Sequence, residues 1–201
     1  MRDGGIRCIQ TTTKRTIFLQ GDVANTVFYI QAGKIKLTVV SAAGKEAIIG
    51  ILEPGSFFGE ACLTGQVMRL GTASTTGPAT IVAIDKPTMV RVLHDTPVFA
   101  EQFLAYTLTR NLRIESDLAD QLFNSSEKRL ARTLLLLANV GNDRTREPIA
   151  LHVSQDMLAK IVGTTRPRIN LFMKKFTKLG FIDTDHGLHI HQSLINILLR
   201  D

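Results

Sequence analysis

The sequence has no tryptophan, two tyrosines and only two cysteines, Cys8 and Cys62, in 201 residues. Two isolated cysteines supply neither a disulfide framework nor the thiolate cluster of an iron–sulfur centre. They point to a reducing compartment, and the cytoplasm is the expected location. Long apolar runs are also missing. The longest, Leu134 to Ala138, falls far short of the ~20 residues that cross a bilayer, and MRDGGIRCIQTTTKRTIF lacks the apolar stretch of a secretory signal. No membrane partner is expected. There is no G-x-G-x-x-G and no Walker loop, which removes the usual phosphate-cradling enzymes. Asp183 and Asp185 beside His186 read as a solvated hairpin tip rather than a catalytic group, so no enzyme is expected.

Metal chemistry has little to work with. Alternation along HGLHIH puts His189 and His191 on one strand face, but no cysteine stands near them, and exposure or phosphate contact is the better reading. His94 is the single histidine flanking the strand-rich half, and a lone histidine near a turn reads as a surface residue rather than a haem ligand. The expectation is no metal site.

Charge is what the chain has, and it is unevenly placed. Residues 125–201 hold twelve Lys/Arg against seven Asp/Glu, and the first 124 residues hold twelve against eleven. Nearly all of the formal +6 therefore belongs to the C-terminal part. Concentrated positive charge suits a phosphate backbone, where counterion release supplies much of the affinity.

Within that basic part, SQDMLAKIVGTTRPRINLFMKKFTKLGFI (154–182) has the pattern of a helix-turn-helix leading into a wing. Ser154 can cap a first helix, and Met157, Leu158, Ile161 and Val162 make one apolar face. Gly163 supplies the turn. Thr164 and Thr165 offer the next cap, and Pro167 suits a helix's first turn. Ile169, Phe172, Met173 and Phe176 then form a buried face, with Arg166, Arg168, Asn170 and Lys174 largely opposite. A short helix with arginines at its N-terminal end is the geometry that reaches base edges in a major groove, so double-stranded DNA is the expected partner.

The first half reads as strands over Thr16–Leu19, Val27–Gln31, Lys34–Val40, Glu46–Leu52 and Thr80–Asp85, punctuated by turn signals at 21–22, 32–33, 41–45, 53–56 and 75–78. Such spacing predicts an antiparallel sandwich or barrel. The pattern changes at Pro97, and from Val98 to about Asn124 there is no glycine or proline. Leu104, Leu108, Asn111, Glu115, Leu118 and Leu122 recur at alternating steps of four and three, a short dimerisation seam. Asn124-Ser125-Ser126 is a hinge and cap, followed by a helix over Glu127–Val140. The predicted fold class is α+β: an N-terminal antiparallel β-roll (1–97), a long dimerisation helix (98–124) and a C-terminal winged helix-turn-helix (125–201).

In this order the sequence resembles the CRP/FNR regulators, the family of the cyclic-AMP receptor protein and the fumarate–nitrate reduction regulator. The resemblance is carried by GDVANTVFYIQAGKIKL (21–37), GKEAIIGILEPGSFFGE (44–60), RLARTLLLLA (129–138) and SQDMLAKIVGTTRPRI (154–169). It implies a homodimer on a palindromic operator, with the β-roll as a cyclic-nucleotide-type sensor. Its effector cassette falls on Gly59, Glu60 and Arg69, with glutamate for a ribose hydroxyl and arginine for a cyclic phosphate. Cyclic AMP or another small anion is the implied effector; a Glu60–Arg69 ion pair in a roll that is only a scaffold is the alternative.

The sequence departs from the family at several points. Leu70 replaces the hydroxyl residue after the arginine, the glutamate–arginine spacing is one residue short, and the positions that meet adenine fall on Glu115 and Ser116. In the DNA-binding half Arg166 matches the family's base-reading arginine. Pro167 stands where the best-known member has glutamate, and Leu171 where it has arginine. Arg168 and Asn170 are the substitute contacts, with Ser154, Gln155, Thr165 and Lys174 placed for phosphates. RNA polymerase is a further expected partner, through the loop Gly141–Pro148.

Overall fold

The computed structural model describes residues 5–140, 153–183 and 188–199, and among them the chain forms two compact units, Met1–Arg110 and Asn111–Asp201. The expected loop Gly141–Pro148, together with Asp185 and His186, lies outside the described residues.

The first unit holds two four-stranded antiparallel sheets. One has the order β1 (Ile6–Thr11), β8 (Ala79–Asp85), β3 (Thr26–Ala32), β6 (Phe57–Phe58). The other runs β2 (Thr16–Phe18), β7 (Thr72–Thr75), β4 (Ile35–Val40), β5 (Glu46–Leu52). Alternation explains the packing. Ala79, Ile81 and Ala83 of β8 point one way and join Phe28, Ile30, Ile35, Phe58 and Ala73 in a core to which both sheets contribute. Ile84 of β8 joins Val27, Cys62 and Met89 in a second cluster, closed by Phe99 and Phe103 of the long helix. Burial raises the Cys62 thiol above its ordinary pKa, whereas Cys8 is exposed.

Three strands and one helix of the first unit, and the short helix Ile195–Leu198 of the second, escaped the sequence reading. Strand β1 pairs in full register with β8, Ile6↔Ile84 to Thr11↔Ala79, but it is mostly exposed and only Ile9 packs against the core. TAST of β7 buries only Ala73 and Thr75, and β6 is two residues long. Helix α1 (Lys86–Asp95) starts on a real cap: the Asp85 side chain accepts from Thr88 N at 2.8 Å, with proline in the first turn. Asp-Lys-Pro was a legible start signal. Hydrogen bonds from Thr88 hold the Asp85 carboxyl below its usual range.

Helix α2 (Pro97–Phe123) runs unbroken, as its lack of glycine and proline predicts. It spans the boundary between the units and buries no residue fully. Leu104, Leu108, Leu118 and Leu122 are each more than half exposed. The two polar seam positions satisfy each other within the helix, Asn111 Nδ2 donating to Glu115 Oε1 at 2.7 Å.

The second unit contains α3 (Ser126–Val140), α4 (Gln155–Val162), α5 (Arg166–Lys178), the hairpin β9 (Ile182–Asp183) and β10 (His189–Ile190), and α6 (Ile195–Leu198). Leu130, Leu134, Leu158, Val162, Ile169, Phe176 and Leu194 form its fully buried centre. Arg129 ties three segments together. Its Nε and Nη2 donate to the carbonyl of Val162 at the end of α4 (3.1 and 3.0 Å), and its Nη1 donates to Asn124 O at 2.8 Å. A second clasp joins Arg132 to Asp120 at 2.9 Å.

Candidate functional site

The C-terminal motif is built as its local chemistry demands. Ser154 is extended (φ −70°, ψ 149°) and its hydroxyl accepts from Met157 N at 3.2 Å. Ser154→Ala is expected to cost about 1 kcal/mol, read as a lower urea midpoint at unchanged slope. Helix α4 buries Leu158, Ala159 and Val162 and stops at Gly163, whose φ of 69° suits a residue without Cβ. Thr165 takes the N-cap position of α5 in extended conformation, but its side chain makes no capping bond. The expected hydroxyl cap is thus corrected: the start of α5 is set by Pro167 in its first turn and by Ile169 N donating to Thr165 O at 3.1 Å.

Ile169, Phe172, Met173 and Phe176 fasten α5 to the core. Arg166, Pro167, Arg168, Asn170, Leu171 and Lys174 remain exposed. Two contacts were not read from sequence. Arg166 Nη1 reaches Asp156 Oδ2 at 3.4 Å with both side chains open to solvent, a pair worth little in water and readily exchanged for another acceptor. Arg168 lies with its guanidinium carbon 5.9 Å from the Phe172 ring centroid. Lys175, by contrast, is tied back to Glu127 at 2.7 Å. Ser154 is exposed and Gln155 half-buried at the start of α4.

The cassette residues of the first unit are brought together, but with other partners than the sequence suggested. Gly59 (φ 78°) opens a 3-10 turn over Glu60–Thr64. The side chain of Arg69 is only 7% exposed. Its Nη1 donates to Gly59 O at 3.0 Å and its Nη2 to Thr26 O at 2.8 Å. The guanidinium lies 4.3 Å from the Phe18 ring centroid and 5.5 Å from that of Phe28. Phe28 in turn stacks on Phe58 at 4.9 Å. Burial lowers the Arg69 pKa, with Cys62, Asp22 and Glu60 opposing that effect. Its Nε is buried without a partner among the described residues.

The Glu60–Arg69 ion pair held open as the alternative does not form. Two carbonyls and two aromatic faces take the guanidinium, and Glu60 pairs instead with Arg110 of α2 at 2.8 Å. The same Arg110 nitrogen also reaches Phe57 O at 3.1 Å, and Tyr106 one turn earlier donates to that oxygen at 2.8 Å. A cation at position 110, seven residues beyond the half-buried Phe103, was the one sequence signal that could have found this pair. Leu70 is two-thirds exposed. Glu115 and Ser116 lie on the part of α2 that belongs to the second unit, both exposed. His94 is exposed and pairs with Asp95, and His189 stands across the hairpin from Asp183. Among the described residues no helix is long and apolar enough to cross a membrane.

A two-sheet antiparallel unit with a short-turn cassette, followed by a long helix and a basic helix-turn-helix with a small wing, defines a DNA-binding regulator with an attached sensor-type domain. Comparison with known proteins gives the same class. Residues 10–96 match the cyclic nucleotide-binding domain, and residues 128–193 match the Crp-like helix-turn-helix domain. The chain is 29% identical over 171 residues to the CRP-like cAMP-activated global transcriptional regulator of Mycobacterium tuberculosis, covering 83% of this chain and 75% of that protein. It is 27% identical over 175 residues to the cyclic AMP receptor protein of Thermus thermophilus, covering 86% and 78%. The fold is shared with the c-di-GMP responsive global regulator CLP of Xanthomonas campestris, with a TM-score of 0.78 at 20% identity over 92% of this chain and 93% of that one. The chain belongs to the CRP/FNR family of transcriptional regulators.

Proposed function

We propose that this regulator acts as a homodimer, joined through the α2 seam, that sets two α5 helices into the major groove of a palindromic operator. One observation carries the reading: α5 packs its apolar face into the core while its N-terminal half presents Arg166, Arg168 and Asn170 to solvent. Arg166 is assigned to guanine O6 and N7. Arg168 and Asn170 supply further base or phosphate contacts. Ser154, Gln155, Thr165 and Lys174 grip phosphates, which fix register without reading sequence. The exposed leucines at 104, 108, 118 and 122 provide the apolar surface that pairing would cover. In functional terms residues 1–97 are the sensor-type domain, 98–124 the dimerisation helix and 125–201 the reader.

The test is selection from random duplexes by the purified chain, with its mass measured by sedimentation. The expected result is an inverted repeat with half-sites about one helical turn, roughly 34–36 Å, apart, bound by a species of twice the chain mass. A monomer, or no enriched sequence, would count against it.

The same geometry favours a second reading for the β unit, that its cassette is a scaffold and not a cyclic-nucleotide receptor. A cyclic phosphate calls for a fork of charge-assisted N–H bonds. Here one N–H of each terminal nitrogen of Arg69 is committed to Gly59 or Thr26, and the side chain is buried against Phe18 and Phe28. Glu60 is held by Arg110, and Leu70 offers no hydroxyl. As paired here, these residues would have to exchange partners to hold the nucleotide that several relatives are named for, which supports the scaffold reading. A thermal-shift titration against cyclic AMP, cyclic GMP, cyclic di-GMP and 2-oxoglutarate is expected to be flat for the cyclic nucleotides. A true ligand at 100 times its dissociation constant would add about 2.7 kcal/mol, and a shift of that size with cyclic AMP would restore the sensor reading.

A further inference from the structure

The solvent-facing side of α5 is not uniformly polar. Successive residues advance by 100° around a helix, so the buried Ile169, Phe172, Met173 and Phe176 fix which side faces out. Opposite their centre run Pro167, Leu171, Lys174 and Lys178, with Asn170 alongside. Leu171 therefore stands at the middle of the outward face, and it is 64% exposed. It lies one turn after Pro167 and about one turn before Lys174, so two adjacent apolar side chains sit between the arginines at the start of the helix and the lysines at its end. Neither packs on the core of the unit. Their position is the one that a helix lying in a major groove brings nearest to the base edges.

An apolar side chain cannot read a donor or acceptor. In the major groove the one base-edge feature it can recognise is the C5-methyl of thymine. We propose that Leu171, with Pro167 beside it, reads thymine methyl groups, so that each half-site holds one or two A·T pairs specified by apolar contact and not by hydrogen bonding. This assignment rests on the DNA-reading role proposed above for α5. It would let a helix with proline and leucine at two central outward positions discriminate between sequences, with methyl burial in the place of polar contacts. One buried methyl corresponds to about a fourfold change in affinity.

The experiment uses the full chain and its selected operator. Each thymine is replaced in turn by deoxyuridine, which lacks only the methyl, and binding is measured by fluorescence anisotropy for the wild type and for Leu171→Ala. Leu171 is exposed and alanine is a strong helix former, so the variant keeps the fold, which circular dichroism checks. The expected result is a loss of about fourfold per methyl at one or two thymines of each half-site for the wild type, and no loss at those positions for Leu171→Ala. Deoxyuridine tolerated at every position by the wild type would overturn the assignment. So would a uracil penalty of the same size in both proteins, because Leu171 would then have no part in it. A selection that enriches no sequence would overturn the DNA-reading role itself and the methyl assignment with it, and it is told apart because it precedes any uracil substitution.

Discussion

Replacing Arg69 by alanine is expected to cost the first unit about 3 kcal/mol of stability. The side chain is buried, and its loss leaves the carbonyls of Thr26 and Gly59 without their donors. It also strips a cation from the faces of Phe18 and Phe28, a contact of order 1 kcal/mol. Each orphaned carbonyl costs about 1–3 kcal/mol if water cannot reach it. Arg69→Met keeps most of the stem over the rings and removes only the donors, so it separates packing from hydrogen bonding. The chain's optics favour this test. Both tyrosines, Tyr29 and Tyr106, belong to the first unit and there is no tryptophan, so tyrosine fluorescence reports that unit alone. The account expects the tyrosine-detected transition to move down by several degrees. An unchanged transition would mean that Arg69 is held loosely and is available to a ligand after all.

Arg129→Ala is the counterpart in the second unit, with an expected cost of about 2–3 kcal/mol. Three of its nitrogens serve three carbonyls: Val162 O at the end of α4, Asn124 O just past α2 and, more weakly at 3.4 Å, Gln121 O within α2. Val162 is followed by Gly163, so the arginine fixes the turn from which α5 is launched. Loss of the clasp frees that turn as well as removing charge-assisted bonds. Far-ultraviolet circular dichroism should show an earlier helical transition while the tyrosine signal holds its midpoint, since the two units have separate cores and need not unfold together. DNA affinity should fall with it, because α5 would no longer be held at one angle. Arg129→Lys, a point charge without the fork, is expected to recover only part of the loss.

Legibility in the sequence followed the strength of local signals. The helix-turn-helix was readable nearly to the residue, because a serine cap, an apolar stripe and a left-handed glycine each leave a mark. Ser154, Gly163 and Pro167 sit where those marks placed them. The long helix was readable from the absence of breakers over residues 98–123. Strands β1 and β7 were not, because IRCIQT is largely exposed and TAST is built of small residues whose place is set by the neighbouring strand. At the cassette the residue types were found but the pairing was not. Sequence spacing put Glu60 and Arg69 near each other, but it could not show that Thr26 and Gly59 carbonyls would take the arginine, or that Arg110 from fifty residues on would take the glutamate. Partners brought by tertiary packing leave no local trace. The same holds for Asp156 and Arg166.

The charge arrangement around α5 limits what the Asp156 contact can do. At 3.4 Å and with both side chains about two-thirds exposed, the pair is a weak one. Its effect is to hold the Arg166 side chain near the start of the helix without a large cost to releasing it. In the DNA-bound state proposed above, a phosphate or guanine acceptor would replace the carboxylate, and Arg166 is the group whose removal should alter what sequence is read.

The most direct test is therefore a base-by-base affinity profile of one operator half-site for the wild type and for Arg166→Ala at fixed salt. The account predicts that the wild type loses about 1–3 kcal/mol when a particular guanine is changed, and that Arg166→Ala becomes indifferent at that base pair while keeping its preferences elsewhere. An Arg166→Ala profile parallel to that of the wild type at every position would contradict the placing of α5 against base edges.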